Sequence, residues 1–117
     1  MSKAPAVQFY FSDYLRDTRS LSLAAKGAWM DCLCDMWFSV TRGVISKPIV
    51  GYARLFGCTI DQAKQVIDEI VELRIGDAET EPNGNLTLIN RRMVRDEEDR
   101  LANNLRQKKH YDKVKSE

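Results

Sequence analysis

The chain has 117 residues, of which 44% are hydrophobic and 30% charged. That length fits one domain with a single core, and the composition is ordinary for a globular chain and excludes a membrane-embedded one. Eighteen Lys and Arg against seventeen Asp and Glu leave a net charge of +1, so no global field draws an acidic partner.

Catalytic equipment is sparse. The one histidine, His110, lies near the C-terminus, and no H-E-x-x-H, P-loop, Gly-rich dinucleotide fingerprint or Cys–His pairing occurs. Paired acids such as Glu97-Glu98 belong to a charge-rich helix face where both stay ionised. An enzyme is not expected, and neither is a cofactor. Cys32 and Cys34, two apart in a helical segment, point to nearly opposite faces, which disfavours a bridge. The odd cysteine count and the short, mixed N-terminus Met-Ser-Lys-Ala-Pro-Ala-Val predict a reducing cytoplasm. A zinc site of Cys32, Cys34, Cys58 and His110 lacks the spaced cysteine pair that such sites use. Three small thiols lining the core are the better reading. The most apolar stretch, residues 27–38, is interrupted by Asp31 and Asp35 and cannot span a bilayer.

In chain order, residues 8–18 hold four aromatics and two acids without a clean period and predict an aromatic arm packed on the domain, with one helical turn. Ser22 is a good N-cap for a long helix to about Val40. Its two apolar stripes (Leu23, Gly27, Met30, Cys34, Trp37 and Trp29, Leu33, Met36, Val40) predict burial on most sides, with something packed closely on Gly27. Val44-Ile45 is long enough for a short strand. Pro48 opens a second helix with an apolar face of Ile49, Val50, Ala53 and Phe56, and Gly57 ends it. Thr59 and Gln62 form a capping box for a third helix to about Arg74. Two strands, 75–79 and 85–89, flank Asn83-Gly84, a hairpin signal in which both residues take positive φ. Asn90 caps a last helix from about Arg91 to Lys109. Opposite charges four apart (Arg92–Asp96, Arg95–Asp99, Asp96–Arg100) support it, and its apolar seam is only Val94, Leu101 and Leu105.

This order predicts an α+β, mainly α fold: a winged helix, in which the second and third helices form a helix-turn-helix and the hairpin is the wing. The aromatic arm precedes it and the long helix follows. The alternative is another small α+β packing of the same elements. Residues 1–110 would form the domain, and 111–117 a flexible basic tail.

The third helix is where such a fold meets a DNA groove. Residues 59–74 carry Lys64 and Arg74 against Asp61, Asp68, Glu69 and Glu72, net −2, which phosphates would repel. Its N-terminal half is less hostile: Thr59, Gln62 and Gln65 are near-neutral hydrogen-bonding residues, and Gln can pair with an adenine edge. Positive charge lies downstream. Residues 1–90 hold 9 basic and 11 acidic side chains, whereas 91–117 hold 9 and 6. Its clusters are Arg91, Arg92 and Arg95 at the start of the helix, then Arg106, Lys108, Lys109, Lys113 and Lys115. The plain reading of the first cluster is a solvated face neutralised by its own acids.

Several segments carry a family resemblance: Phe9-Tyr10-Phe11-Ser12-Asp13-Tyr14-Leu15-Arg16-Asp17-Thr18 with Leu21-Ser22, then Gly27-Ala28-Trp29-Met30, Leu33, Gly43-Val44-Ile45, Leu55-Phe56-Gly57-Cys58, and Leu88-Ile89-Asn90-Arg91-Arg92-Met93. In these the chain resembles a family of small phage and prophage proteins, a domain of unknown function found beside replication genes. The resemblance covers about residues 8–105. It implies a winged helix like those at the N-termini of phage replication initiators, working in the bacterial host cytoplasm as an origin-DNA binder or helicase-loading adaptor. It brings no agreed site residues.

Two functions follow. In one, the protein binds double-stranded DNA for phage replication or its regulation. Arg91, Arg92, Arg95, Lys108 and Lys109 neutralise phosphates, Asn83 and Asn85 enter a minor groove, and Gln62 and Gln65 read bases. In the other, it is a protein–protein adaptor that does not touch DNA. Its acidic third helix is then no DNA reader, and the last helix pairs with a second protomer or a replication partner.

Overall fold

Ser22 starts the central helix by accepting a hydrogen bond from the Ala25 amide on its hydroxyl, and the chain folds around that helix. In a computed structural model describing residues 9–116, with side chains through Val114, the elements are α1 (Phe11–Thr18), α2 (Leu23–Trp37), β1 (Val44–Lys47), α3 (Ile49–Phe56), α4 (Ile60–Glu72), β2 (Asp77–Thr80), β3 (Leu86–Ile89) and α5 (Arg91–Ser116). The architecture is α+β and mainly helical, with one antiparallel sheet in the order β1-β3-β2. Gln8 of the expected arm and the side chain of Lys115 lie outside the described residues.

The arm is a two-turn helix. Tyr14 and Thr18, four apart, turn inward on α1, and the Thr18 hydroxyl donates to the Tyr14 carbonyl at 2.7 Å. Phe9, Phe11 and Leu15 stay exposed.

Helix α2 buries one face, not most of its circumference. Ala25, Ala28, Trp29, Cys32 and Met36 recur every three or four residues and are buried. Leu23 is 90% exposed, Cys34 is exposed, and Val40 lies beyond the helix end and is fully exposed. The expected stripes and the set of three core thiols therefore reduce to one stripe and one core thiol, Cys32. Nothing lies within 4 Å of a Cβ built on Gly27, so the expected close packing there is absent too.

Helices α3 and α4 close the core. Pro48 precedes α3 and Gly57, at φ 71°, ends it. Tyr52 is its largest buried side chain, and its hydroxyl donates to the Leu86 carbonyl at 2.7 Å, tying helix to sheet. In α4 the capping box forms as expected: Thr59 Oγ1 accepts from the Gln62 amide at 3.1 Å, and Gln62 Oε1 from the Thr59 amide at 3.0 Å. Val66, Ile67 and Ile70 pack onto α2, and Glu69 reaches back to accept from the Ser22 amide at the start of α2.

The central strand β3 pairs Leu88 with Ile45 on one side and Ala78 on the other. The hairpin turn differs from the expected one. Only Gly84 takes positive φ, at 90°. The Gly84 amide donates to the Glu81 carbonyl at 2.9 Å, and the Glu81 amide to the Asn85 carbonyl at 2.8 Å. Pro82 thus occupies the second turn position and Gly84 the bulge, so Asn83 needs no left-handed backbone.

Asn90 caps α5, its side chain accepting from the Met93 amide at 3.2 Å. The helix runs on to Ser116, past the expected end at Lys109 and the expected tail boundary after His110. No Gly or Pro interrupts residues 91–116, so nothing in that stretch breaks the ladder. From Glu98 to Val114 every residue is exposed, and the molecule is elongated, 62 × 36 × 24 Å.

Candidate functional site

Three elements converge on a shallow open groove of about 510 Å³. The end of α1 and the turn after it contribute Arg16, Asp17 and Ser20, the turn after α4 contributes Leu73, Arg74 and Ile75, and the cap and first turns of α5 contribute Asn90, Arg91, Arg92 and Arg95. Five arginines line it.

The end of α4 sets one wall. The Ile75 amide donates to the Ile70 carbonyl and the Arg74 amide to the Val71 carbonyl, both at 3.0 Å, which is the Schellman closure. It places Arg74 in the left-handed region at φ 58°, the only described residue other than glycine to adopt it. Glycine takes that conformation freely, whereas a side chain there costs roughly 1 kcal/mol. The strained turn orients its neighbour: Arg91 Nη2 donates to the Arg74 carbonyl at 3.0 Å.

Carboxylates already partner two of the three arginines expected at the start of α5. Arg91 pairs with Asp77. Arg92 turns to α1, reaching Asp13 at 3.2 Å and Asp17 at 3.7 Å, instead of forming the expected pair with Asp96. Arg16 also shares Asp13 and Asp17. No acid among the described residues pairs with Arg95. With Asp13, Asp17 and Asp77 counted, the five arginines leave the groove at +2. All these side chains are at least 37% exposed, where an ion pair contributes only about 0–1 kcal/mol. A phosphate can displace such a carboxylate at small cost.

The other expected site residues stand apart. Asn83 and Asn85 are at the hairpin turn, whereas Arg91 sits at the base of the hairpin, one four-residue strand away, about 13 Å. Asn83 Oδ1 is engaged by the Asn85 amide at 3.0 Å. Gln62 serves the capping box, which occupies its side-chain oxygen, and Gln65 is exposed one turn further on. With Glu69 turned inward, the exposed side chains of α4 set Lys64 against Asp61, Asp68 and Glu72. Lys108 and Lys109 lie roughly 25 Å along α5 from Arg91.

Further along α5, the expected pairs Arg95–Asp99 and Asp96–Arg100 do not form among the described residues. Glu97 is the engaged acid. Arg100 donates to it at 2.6 Å and Arg42 at 3.1 Å, and these bonds hold its carboxyl below the usual range, Arg100 first.

Arg16 and Arg74 were not among the expected site residues. Arg74 carried a signal, since it stands where a helix of that length ends and a glycine would fit best. Arg16 carried none, because only the placement of α1 brings it to the groove. No known protein family, curated protein or solved structure significantly matches the chain.

Proposed function

We propose that this chain is a winged-helix protein that binds double-stranded DNA, with a role in phage or prophage replication as its resemblance implies. Support for the fold reading comes from the order α2, β1, α3, α4 and hairpin, with β1 as the third strand of the hairpin's sheet. The observation that carries the DNA reading is the groove of Arg16, Arg74, Arg91, Arg92 and Arg95. Arginine is a forked, permanently charged donor suited to phosphate oxygens, and an open groove admits a backbone better than an enclosed small molecule. The acidic α4 is then not the main contact, and phosphates are gripped from the hairpin's base.

Mobility-shift titrations at two salt concentrations test this. Wild type should bind random duplex with affinity falling steeply as salt rises. Arg95→Gln should lower affinity on every sequence and shrink the log–log salt slope by about 0.9. Duplex binding that is absent, or equal in wild type and Arg95→Gln, overturns the assignment.

The adaptor reading keeps one observation of its own: Leu101 and Leu105 are each 54% exposed on α5. A dimer in ultracentrifugation that dissociates on Leu101→Glu, in a protein that ignores DNA, would establish it instead.

A further inference from the structure

Charge on α5 alternates in blocks. Residues 91–99 set Arg91, Arg92 and Arg95 against four consecutive acids, Asp96 to Asp99, while 100–116 hold six basic residues and one acid, Asp112. The helix also sorts its charge by face. At 100° per residue, Arg91, Arg95, Arg106, Lys109 and Lys113 fall within a sector of about 60°. The two intervening positions on that stripe are Glu98 and Ala102. All seven side chains are exposed. Lys108, one residue from Lys109, is turned about 100° away onto the Leu101 side, so it leaves the expected site.

The stripe is therefore two basic clusters with a gap. At 1.5 Å per residue it extends about 33 Å from Arg91 to Lys113, and the gap from Arg95 to Arg106 is about 16 Å. One turn of duplex is about 34 Å, and its major groove is about 12 Å wide between phosphate ridges. We infer that α5 bridges a groove of duplex DNA, with Arg91 and Arg95 on one phosphate ridge and Arg106, Lys109 and Lys113 on the next. Of the four acids only Glu98 lies on the stripe, and it then sits over the groove mouth, where phosphates are farthest away, while Glu97 faces Arg42 and the domain. A helix tracking one continuous strand would need positive charge at Glu98 and Ala102 as well. This inference rests on the DNA-binding reading and adds to it a second anchor and a footprint of about one helical turn.

The test is fluorescence anisotropy on duplexes of about 6, 10 and 20 base pairs, lengths chosen to bracket one turn. Wild-type affinity per site should rise at least tenfold between the shortest and middle lengths and then level off. The triple variant Arg106→Gln/Lys109→Gln/Lys113→Gln should lose that gain and lower the salt slope on longer duplexes by about 2–3. It should bind the shortest duplex as wild type does. Because these side chains are exposed, the core should melt unchanged. Glu98→Gln should alter affinity less than twofold, whereas a rise equal to the loss at Arg106→Gln would indicate a continuous track and overturn the bridge. Duplex binding that is insensitive to the triple variant overturns the second anchor and leaves the arginine groove standing. Binding to no duplex at any length removes both. Loss of a self-associated state in the triple variant, with DNA ignored, would assign the stripe to a protein partner and overturn the bridge as well.

Discussion

Arg42 and Glu97, 55 positions apart, meet at 3.1 Å with both side chains mostly buried, 12% and 19% exposed. Arg42 also lies 3.9 Å from the centre of the Trp37 ring and donates to the Trp37 carbonyl at 3.0 Å. This contact fastens α5 to the end of α2 and so sets the direction in which the long helix leaves the domain.

Glu97→Gln should lower stability by about 1–2 kcal/mol, between an exposed and a buried ionic hydrogen bond. The loss should depend on pH. A carboxyl whose pKa is lower folded than unfolded contributes stability above its unfolded pKa and loses it as pH falls through the folded value. Glu97 is such a group. Urea unfolding at neutral pH should separate variant from wild type, and the gap should narrow at about pH 3.

Two glycines should respond oppositely to alanine. A Cβ on Gly76 would come within 2.9 Å of the Trp29 ring, so Gly76→Ala overpacks the core and should cost about 1–3 kcal/mol. Gly27 is helical with open space around its Cβ position, so Gly27→Ala should stabilise by roughly 0.5–1 kcal/mol. Thermal melts of the two single variants measure both.

Arg74→Gly should separate stability from binding. Glycine relieves the left-handed backbone at φ 58° and should raise stability by roughly 1 kcal/mol. Loss of one groove cation should weaken duplex binding and shallow the salt slope by about 0.9. Paired urea and anisotropy measurements check the two directions together.

The thiols should react in order of access. Cys34 is exposed and Cys58 half-buried, whereas burial, with help from Asp31 and Asp35, pushes the Cys32 thiol up to about 12. A disulfide reagent at neutral pH should label Cys34 first, Cys34→Ser should abolish the fastest phase, and Cys32 should react only on unfolding.

Much of the element order was legible because its signals are local. Ser22, Thr59 with Gln62, Gly57 and Asn90 act through hydrogen bonds that close within a few residues, so a short window holds both partners. Which face of α2 is buried was not legible. Both faces offer apolar residues, and only the positions of α3, α4 and the sheet select Ala25, Trp29 and Cys32 over Leu23 and Cys34. The hairpin was found from Asn83-Gly84, yet its turn geometry depended on Pro82 as well.

For the candidate site the division is sharper. Composition and spacing alone determined that positive charge gathers after residue 90 and that α4 is acidic, because charge count and helical period need no neighbours. Only the tertiary structure decided that Arg91 and Arg92 face Asp77, Asp13 and Asp17, and that Arg16 and Arg74 join them in one groove. Electrostatic interaction depends on distance through space, and the packing of α1 and the α4 turn against α5 sets those distances.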